Sequence, residues 1–257
     1  MKLVVLEENT ACCPGVTAEH GLSLYLETGT HRILFDMGQT GAFAENAAAL
    51  GVDLARVDFA VISHGHYDHT GGLARFLELN STAPVYLSPF APEPHYNAKD
   101  AFIGMTLPER DRERLIFCPD GFSPAPGMIL KNTISCTFPI EPYGLQMEQE
   151  GRRVPEDFRH EQYLEIREGT RRILVSGCSH RGIQNISRYF SPDILIGGFH
   201  LMKQEDPRAL ARIAQDLLRL PPVYYTGHCT GLAQYDILKE GMGSRLHRLS
   251  TGMTLNI

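Results

Sequence analysis

A chain of 257 residues with 43% hydrophobic and 21% charged residues is long enough to bury a sizeable core and has an ordinary globular composition. A formal net charge of −6 argues against a nucleic-acid surface, because phosphate backbones recruit basic faces. Six cysteines with no secretory leader do not suggest a disulfide framework, and no apolar stretch reaches the roughly 18 residues of a membrane span, so a cytoplasmic location without a membrane partner is expected.

In chain order, KLVVLEE (2–8), LSLYLET (22–28) and RILFDM (32–37) have the pattern of strands. AFAENAAALG (42–51) is an alanine-rich helix that stops on glycine, and DFAVIS (58–63) is a buried strand. GGLARFLELN (71–80) reads as the next helix. Eight of the sixteen prolines lie between Pro84 and Pro126, which marks an insertion or lid at about 84–126 within one domain spanning 1–257. Beyond it, YLEIRE (163–168) and RRILVSG (171–177) form a hairpin across Gly169–Thr170. A helix (182–190), the strand DILIGG (193–198), a helix after Pro207, the strand VYYTG (223–227) and a helix near 231–240 follow. Strand, loop and helix alternate throughout, so the class is α/β or α+β with buried sheets.

The chemistry concentrates in SHGHYDHTGG (63–72), directly after a buried strand. Three imidazoles and a carboxylate within six positions need partners, and a divalent first-row metal supplies them. Residues 64 and 66 project the same way along an extended strand end, whereas 68 and 69 lie beyond the turn. One segment thus feeds two metal positions, His64 with His66 and Asp68 with His69. About three protein ligands complete a catalytic zinc site. The missing ones are expected at the same edge of the sheet, from His180 in SGCSH, His200 in GGFH and His228 in TGHCTG.

SHGHYDHTGGL resembles the H-x-H-x-D-H motif of the metallo-β-lactamase-fold superfamily, with RILFDMG and RRILVSG standing where that family has strands. AEHGLSLYLETGTHRILFDMGQTG, RHEQYLEI, VSGCSHRGI, IGGFHL and GHCTG are similar to its branch of 7,8-dihydropterin-6-methyl-4-(β-D-ribofuranosyl)-aminobenzene-5′-phosphate synthase-like proteins. The resemblance implies a four-layer αββα sandwich holding one or two divalent metals, zinc first and manganese or iron as alternatives. It implies His64, His66, Asp68, His69 and His228 as ligands. Where the superfamily ends its later strand on Gly-Asp, with the aspartate bridging the metals, this chain has Cys178; His180 is expected to replace the middle histidine ligand. Cys178 is either a thiolate ligand or a small buried residue. Asp36 stands where the superfamily holds a ligand histidine with a carboxylate, and is otherwise a turn residue before Gly38.

His200, after Gly197–Gly198, is read first as a substrate-binding or proton-transfer residue and second as a ligand. His20 and Glu19 reach the cleft or belong to an ordinary loop, and the same two readings hold for His160 and Glu161. His31 and His247 read as surface, and Cys12 and Cys13 as loop thiols without a role. Metal-activated water directed by Asp68 predicts hydrolysis of an ester or phosphoester of a small anionic metabolite. Helix starts at Gly71, Gly182 and Gly231 suit its anionic group. The branch implies an alternative, condensation of a pterin with an arylamine and loss of pyrophosphate. A diiron redox protein and a non-catalytic metabolite-binding module are the competitors from other classes.

Overall fold

The computed structural model describes all 257 residues. Its first part runs β1 (Lys2–Glu7), β2 (Ser23–Glu27), β3 (Arg32–Phe35), α1 (Ala42–Ala49), β4 (Phe59–Val61), α2 (Tyr67–Thr70), α3 (Leu73–Leu79), β5 (Val85–Leu87), β6 (His95–Tyr96) and β7 (Leu115–Phe117). The second part runs β8 (Met128–Lys131), β9 (Gln146–Gln149), β10 (Arg152–Pro155), β11 (Tyr163–Glu168), β12 (Arg171–Val175), α4 (Ile183–Phe190), β13 (Ile194–Ile196), α5 (Pro207–Leu218), β14 (Val223–Thr226), α6 (Leu232–Met242), β15 (Leu246–Arg248) and β16 (Thr254–Asn256).

The strands form a seven-stranded sheet, β16-β1-β2-β3-β4-β5-β7, and a six-stranded sheet, β15-β14-β13-β12-β11-β8. Strand periodicity explains how they stack. Leu3 and Val5 of β1 point into a layer shared with Ile33, Phe35, Ile166, Ile173 and Val175, so the two sheets pack face to face. Val4 and Leu6 point the other way, against Phe43 of α1 and Phe76 of α3. On the far side Leu174, Leu195 and Tyr224 pack against Ile186 of α4, Leu210 of α5 and Leu238 of α6. This is the four-layer αββα arrangement, and burial on both faces is why the strands read as continuous apolar runs. No helix is long and apolar enough to cross a membrane.

Each sheet is antiparallel at one end and parallel at the other; β3, β4, β5 and β7 run parallel, as do β12, β13, β14 and β15. Ligand-bearing loops belong outside the carboxyl ends of parallel strands, and the loops after β3, β4, β12, β13 and β14 carry Asp36, His64, Cys178, His200 and His228.

One expectation needs correction. The span 84–126 is not one insertion, because β5 and β7 within it are strands of the large sheet. Only the chain between them leaves the sheet, and its β6 pairs with the β9–β10 hairpin in a third, three-stranded sheet. The helix expected over 71–80 is α3, Leu73–Leu79, and a separate turn of helix, Tyr67–Thr70, precedes it and carries Asp68 and His69. A side chain at Gly71 would strike the Gln39 carbonyl, so the chain passes close to its neighbour before α3 starts.

Candidate metal centre

Asp36 sits just past β3 with left-handed backbone (φ 58°) and no exposure. Its carboxylate accepts the backbone N–H and the hydroxyl of Ser63, each at 2.7 Å, and the Nδ1–H of His69 at 2.7 Å. That last bond fixes the His69 tautomer and leaves Nε2 facing Cys178 Sγ at 3.2 Å. Burial opposes charging of His69, but the Asp36 and Asp68 carboxylates override it and raise its pKa to about 9.

The same reasoning extends around the site. Ser63 gives its only hydroxyl proton to Asp36, so His64 Nδ1, 2.8 Å away, must donate to that oxygen. His64 Nε2 therefore presents a lone pair, 3.2 Å from His180 Nε2. His228 Nδ1 donates to Asn9 Oδ1 at 2.9 Å, which leaves the Nε2 lone pair 3.2 Å from Asp68 Oδ2. The His228 lone pair faces the Asp68 carboxylate, and His66 Nε2, His180 Nδ1, His200 Nδ1 and His228 Nε2 are buried and without hydrogen-bond partners. Such an arrangement costs free energy unless a cation sits among the lone pairs.

Protonation states point the same way. Burial, then the neighbouring imidazoles, holds His64, His66 and His180 well below the usual histidine range, which keeps them neutral as ligands require. Burial alone would raise Asp68, yet His69, His20 and His228 hold it well below the carboxylate range.

The donor atoms fall into groups within 4.8 Å of one another: His64, Cys178 and His180; His69, Cys178 and His228; His20, Asp68 and His228; and Cys178, His200 and Cys229. Cys178 is shared by three of these groups, at the position between the two imidazole sets. His200 lies beside His180, with ring centroids 4.1 Å apart, and His20 Nε2 is 3.3 Å from Asp68 Oδ2. The expected pairing of His64 with His66 is not the grouping seen. The rings are neighbours at 4.6 Å, but His66 groups with His95, Glu156 and His160.

Sequence reasoning missed His95 and Glu156 of that last group, and Cys229, and had His160 as either a cleft or a loop residue. His95 comes from β6 and Glu156 follows β10, so the small sheet carries both behind His66. Glu156 accepts His95 Nδ1–H at 2.7 Å, and the Gly65 N–H donates to His160 Nδ1 at 3.1 Å. Glu161 is a buried brace, not a cleft residue: it accepts the backbone N–H groups of His180 at 2.7 Å and Arg181 at 3.1 Å. Glu8 does the same for the His228 N–H at 2.6 Å. RHEQ and the acidic end of KLVVLEE were the available signals; His95 had none.

A cleft of about 180 Å³ opens over the centre, lined by His20, Asp68, Asn97, Cys178, His200 and His228 among others. A cavity of about 270 Å³ adjoins it past His180 and His200, with Gln184, Asn185, Arg188 and Tyr143 in its wall.

Comparison with known proteins places this geometry. The family model of the metallo-beta-lactamase superfamily matches residues 16–130. The 7,8-dihydropterin-6-methyl-4-(beta-D-ribofuranosyl)-aminobenzene-5′-phosphate synthase of Methanocaldococcus jannaschii is 32% identical over 91% of this chain and 89% of its own. The chain belongs to the metallo-beta-lactamase superfamily. Tm1679, described as a metal-dependent hydrolase of the beta-lactamase superfamily, superposes with a TM-score of 0.83 at 28% identity, covering 100% of this chain and 99% of that one. Zn(2+)-bound PqqB from Methylobacterium extorquens shares the fold alone, with a TM-score of 0.62 at 12% identity over 100% of both chains. With a synthase and a hydrolase among these metallo-beta-lactamase relatives, the protein is an enzyme of that fold.

Proposed function

We propose that this protein is a metal-dependent hydrolase that cleaves an ester or phosphoester bond of a small anionic metabolite, with zinc as its ion and manganese or iron as alternatives. The observation that carries the reading is the convergence of ligand-type groups: His64 Nε2, His180, His69, His228 Nε2, the Asp68 carboxylate and the Cys178 sulfur crowd into overlapping groups at one buried edge of the sheets. When bound, a divalent ion polarises a carbonyl or phosphoryl oxygen and lowers the pKa of water to about 7.

The chain's own groups supply the rest. Asp68, held ionised among three imidazoles, orients the attacking water as a hydrogen-bond acceptor. His200 stands at the border of cleft and cavity with Nδ1 free, placed to bind an anionic group or pass a proton to the leaving oxygen. His20, paired with Asp68, flanks the same opening. Arg188, in the last turn of α4, stands in the wall of the adjoining cavity, where a guanidinium suits a phosphate or carboxylate.

The test is turnover of an aryl phosphomonoester, a phosphodiester, a carboxylic ester and pyrophosphate by zinc- or manganese-loaded protein. Activity that disappears with a chelator, returns with metal and falls about 100-fold or more in Asp68→Asn is the expected result. Loaded protein that turns over none of the panel would overturn the reading. The identity to the dihydropterin-linked synthase favours one second reading, joining of a pterin to an arylamine with release of pyrophosphate. Pyrophosphate formed from a dihydropterin pyrophosphate only when an aminobenzene acceptor is present would identify it.

A further inference from the structure

Two of the six cysteines lie in the centre, and the reaction assigned above uses neither directly. Cys178 lies in the loop between β12 and α4, and Cys229 is the middle residue of the turn His228–Thr230 after β14. Both are buried and neither is in a disulfide. One donor atom from each, with one from His200, lies within 4.8 Å of the others.

A buried free thiol normally packs as a small hydrophobe. Cys118 is that case, buried in the apolar layer between the sheets. The other two have polar surroundings. Cys229 Sγ accepts the His200 backbone N–H at 3.3 Å, and its thiol donates to the Cys178 carbonyl at 3.5 Å. Cys178 Sγ faces His69 Nε2 at 3.2 Å. Space for the Cys229 sulfur exists because residue 198 is glycine; any side chain there would run into it. The left-handed backbone of His228 (φ 48°) reverses the chain sharply, so consecutive side chains reach the same centre: His228 toward Asp68 and Cys229 toward Cys178.

We propose that Cys178 and Cys229, with His200 beside them, form a dithiolate ligand set of the metal centre, which therefore selects a thiophilic ion such as zinc over magnesium or manganese. Thiolate ligands favour softer ions, whereas carboxylate and water suit the harder ones. Each thiol that ligates releases its proton to solvent, so binding is a metal-for-proton exchange at sulfur. The proposal rests on the metal-dependent reading above and adds Cys229 to it.

Cobalt(II) loaded into the full chain is the probe, since its thiolate complexes absorb by sulfur-to-metal charge transfer in the near ultraviolet. The wild type should show this band, Cys229→Ser should lose about half of it, Cys178→Ser/Cys229→Ser should lose it all, and Cys118→Ser should keep it. Zinc affinity should fall by about tenfold or more in Cys229→Ser. A measurement on the wild type alone covers the case of a variant that fails to fold. Zinc should protect two thiols, identified by mass as Cys178 and Cys229, from a thiol reagent, and a chelator should restore their labelling. Bound cobalt without a sulfur band, a full band in Cys229→Ser, or labelling indifferent to zinc would each overturn the ligand set while leaving the hydrolase reading standing. A sulfur band with no turnover of any substrate would do the reverse.

Discussion

Glu7 offers a quantitative test of how the centre's surroundings are built. It is the last residue of β1 and has no solvent exposure. One carboxylate oxygen accepts the Gln39 backbone N–H at 3.0 Å, and the other, Oε2, has no partner. The carboxylate fits only because Gly21 and Gly38 lack side chains, which would otherwise collide with it. Burial raises its pKa from 4.5 to about 7. Because the folded value lies above the unfolded one, folding takes up a proton between those limits. The associated stability is present below pH 4.5 and is lost as pH rises through about 7. At about 1.4 kcal/mol per pH unit, the gap amounts to about 3 kcal/mol. Glu7→Gln imitates the protonated form and keeps an acceptor for Gln39. Relative to the wild type, the variant should gain about 2.5 kcal/mol of that gap between pH 5 and pH 8, read as a growing difference in denaturant midpoint on metal-free protein. A difference that stays flat across this range would refute the argument, whatever its offset, because the offset reports packing and only the slope reports the proton.

Asp36→Ala strips the acceptor from two Ser63 groups and from His69, and should cost about 3–5 kcal/mol in denaturation and about 10–100-fold in metal affinity by chelator competition; unchanged affinity would contradict its role in holding His69. His180→Ala should lower the metal content by one ion per chain with the circular dichroism intact; unchanged stoichiometry would show that the ring beside His64 is not a ligand.

The parts of this centre that could be read from the sequence are those whose spacing is local. His64 to His69 follow one strand end and one turn of helix, so their contiguity survives folding intact. His180, His200 and His228 each follow an apolar parallel strand, and strand direction alone sends them to one edge. The group behind His66 is different. His95 opposes Met147 across the small sheet, a pairing that joins residues distant in sequence and leaves no periodic trace. β5 and β7 are three residues each and stand among prolines, too short to show alternation. Cys229 was invisible for a chemical reason: a cysteine beside a ligand histidine reads as a filler until its sulfur is placed.

Backbone strain shows how the loops of the centre are held. Asp36, Ser179, His200 and His228 all adopt left-handed conformations, with φ of 58°, 57°, 50° and 48°. Such conformations cost roughly 1–2 kcal/mol each for a residue with a side chain. Glycine would relieve the cost, and it is used nearby at Gly38 and Gly197, where a side chain would also collide with the Glu7 carboxylate or the Ser176 carbonyl. At Asp36, His200 and His228 it would also delete the carboxylate or imidazole that the site requires. Each strained residue is tied by a hydrogen bond instead: Asp36 to Ser63, Ser179 to the Ser176 hydroxyl at 2.8 Å, His200 to Cys229 and His228 to Glu8. Those ties make Cys229 answerable for two things at once, the sulfur in the centre and the backbone direction of His200. The serine variant, which can still accept the His200 N–H, separates them: it removes the soft ligand and leaves the loop in place.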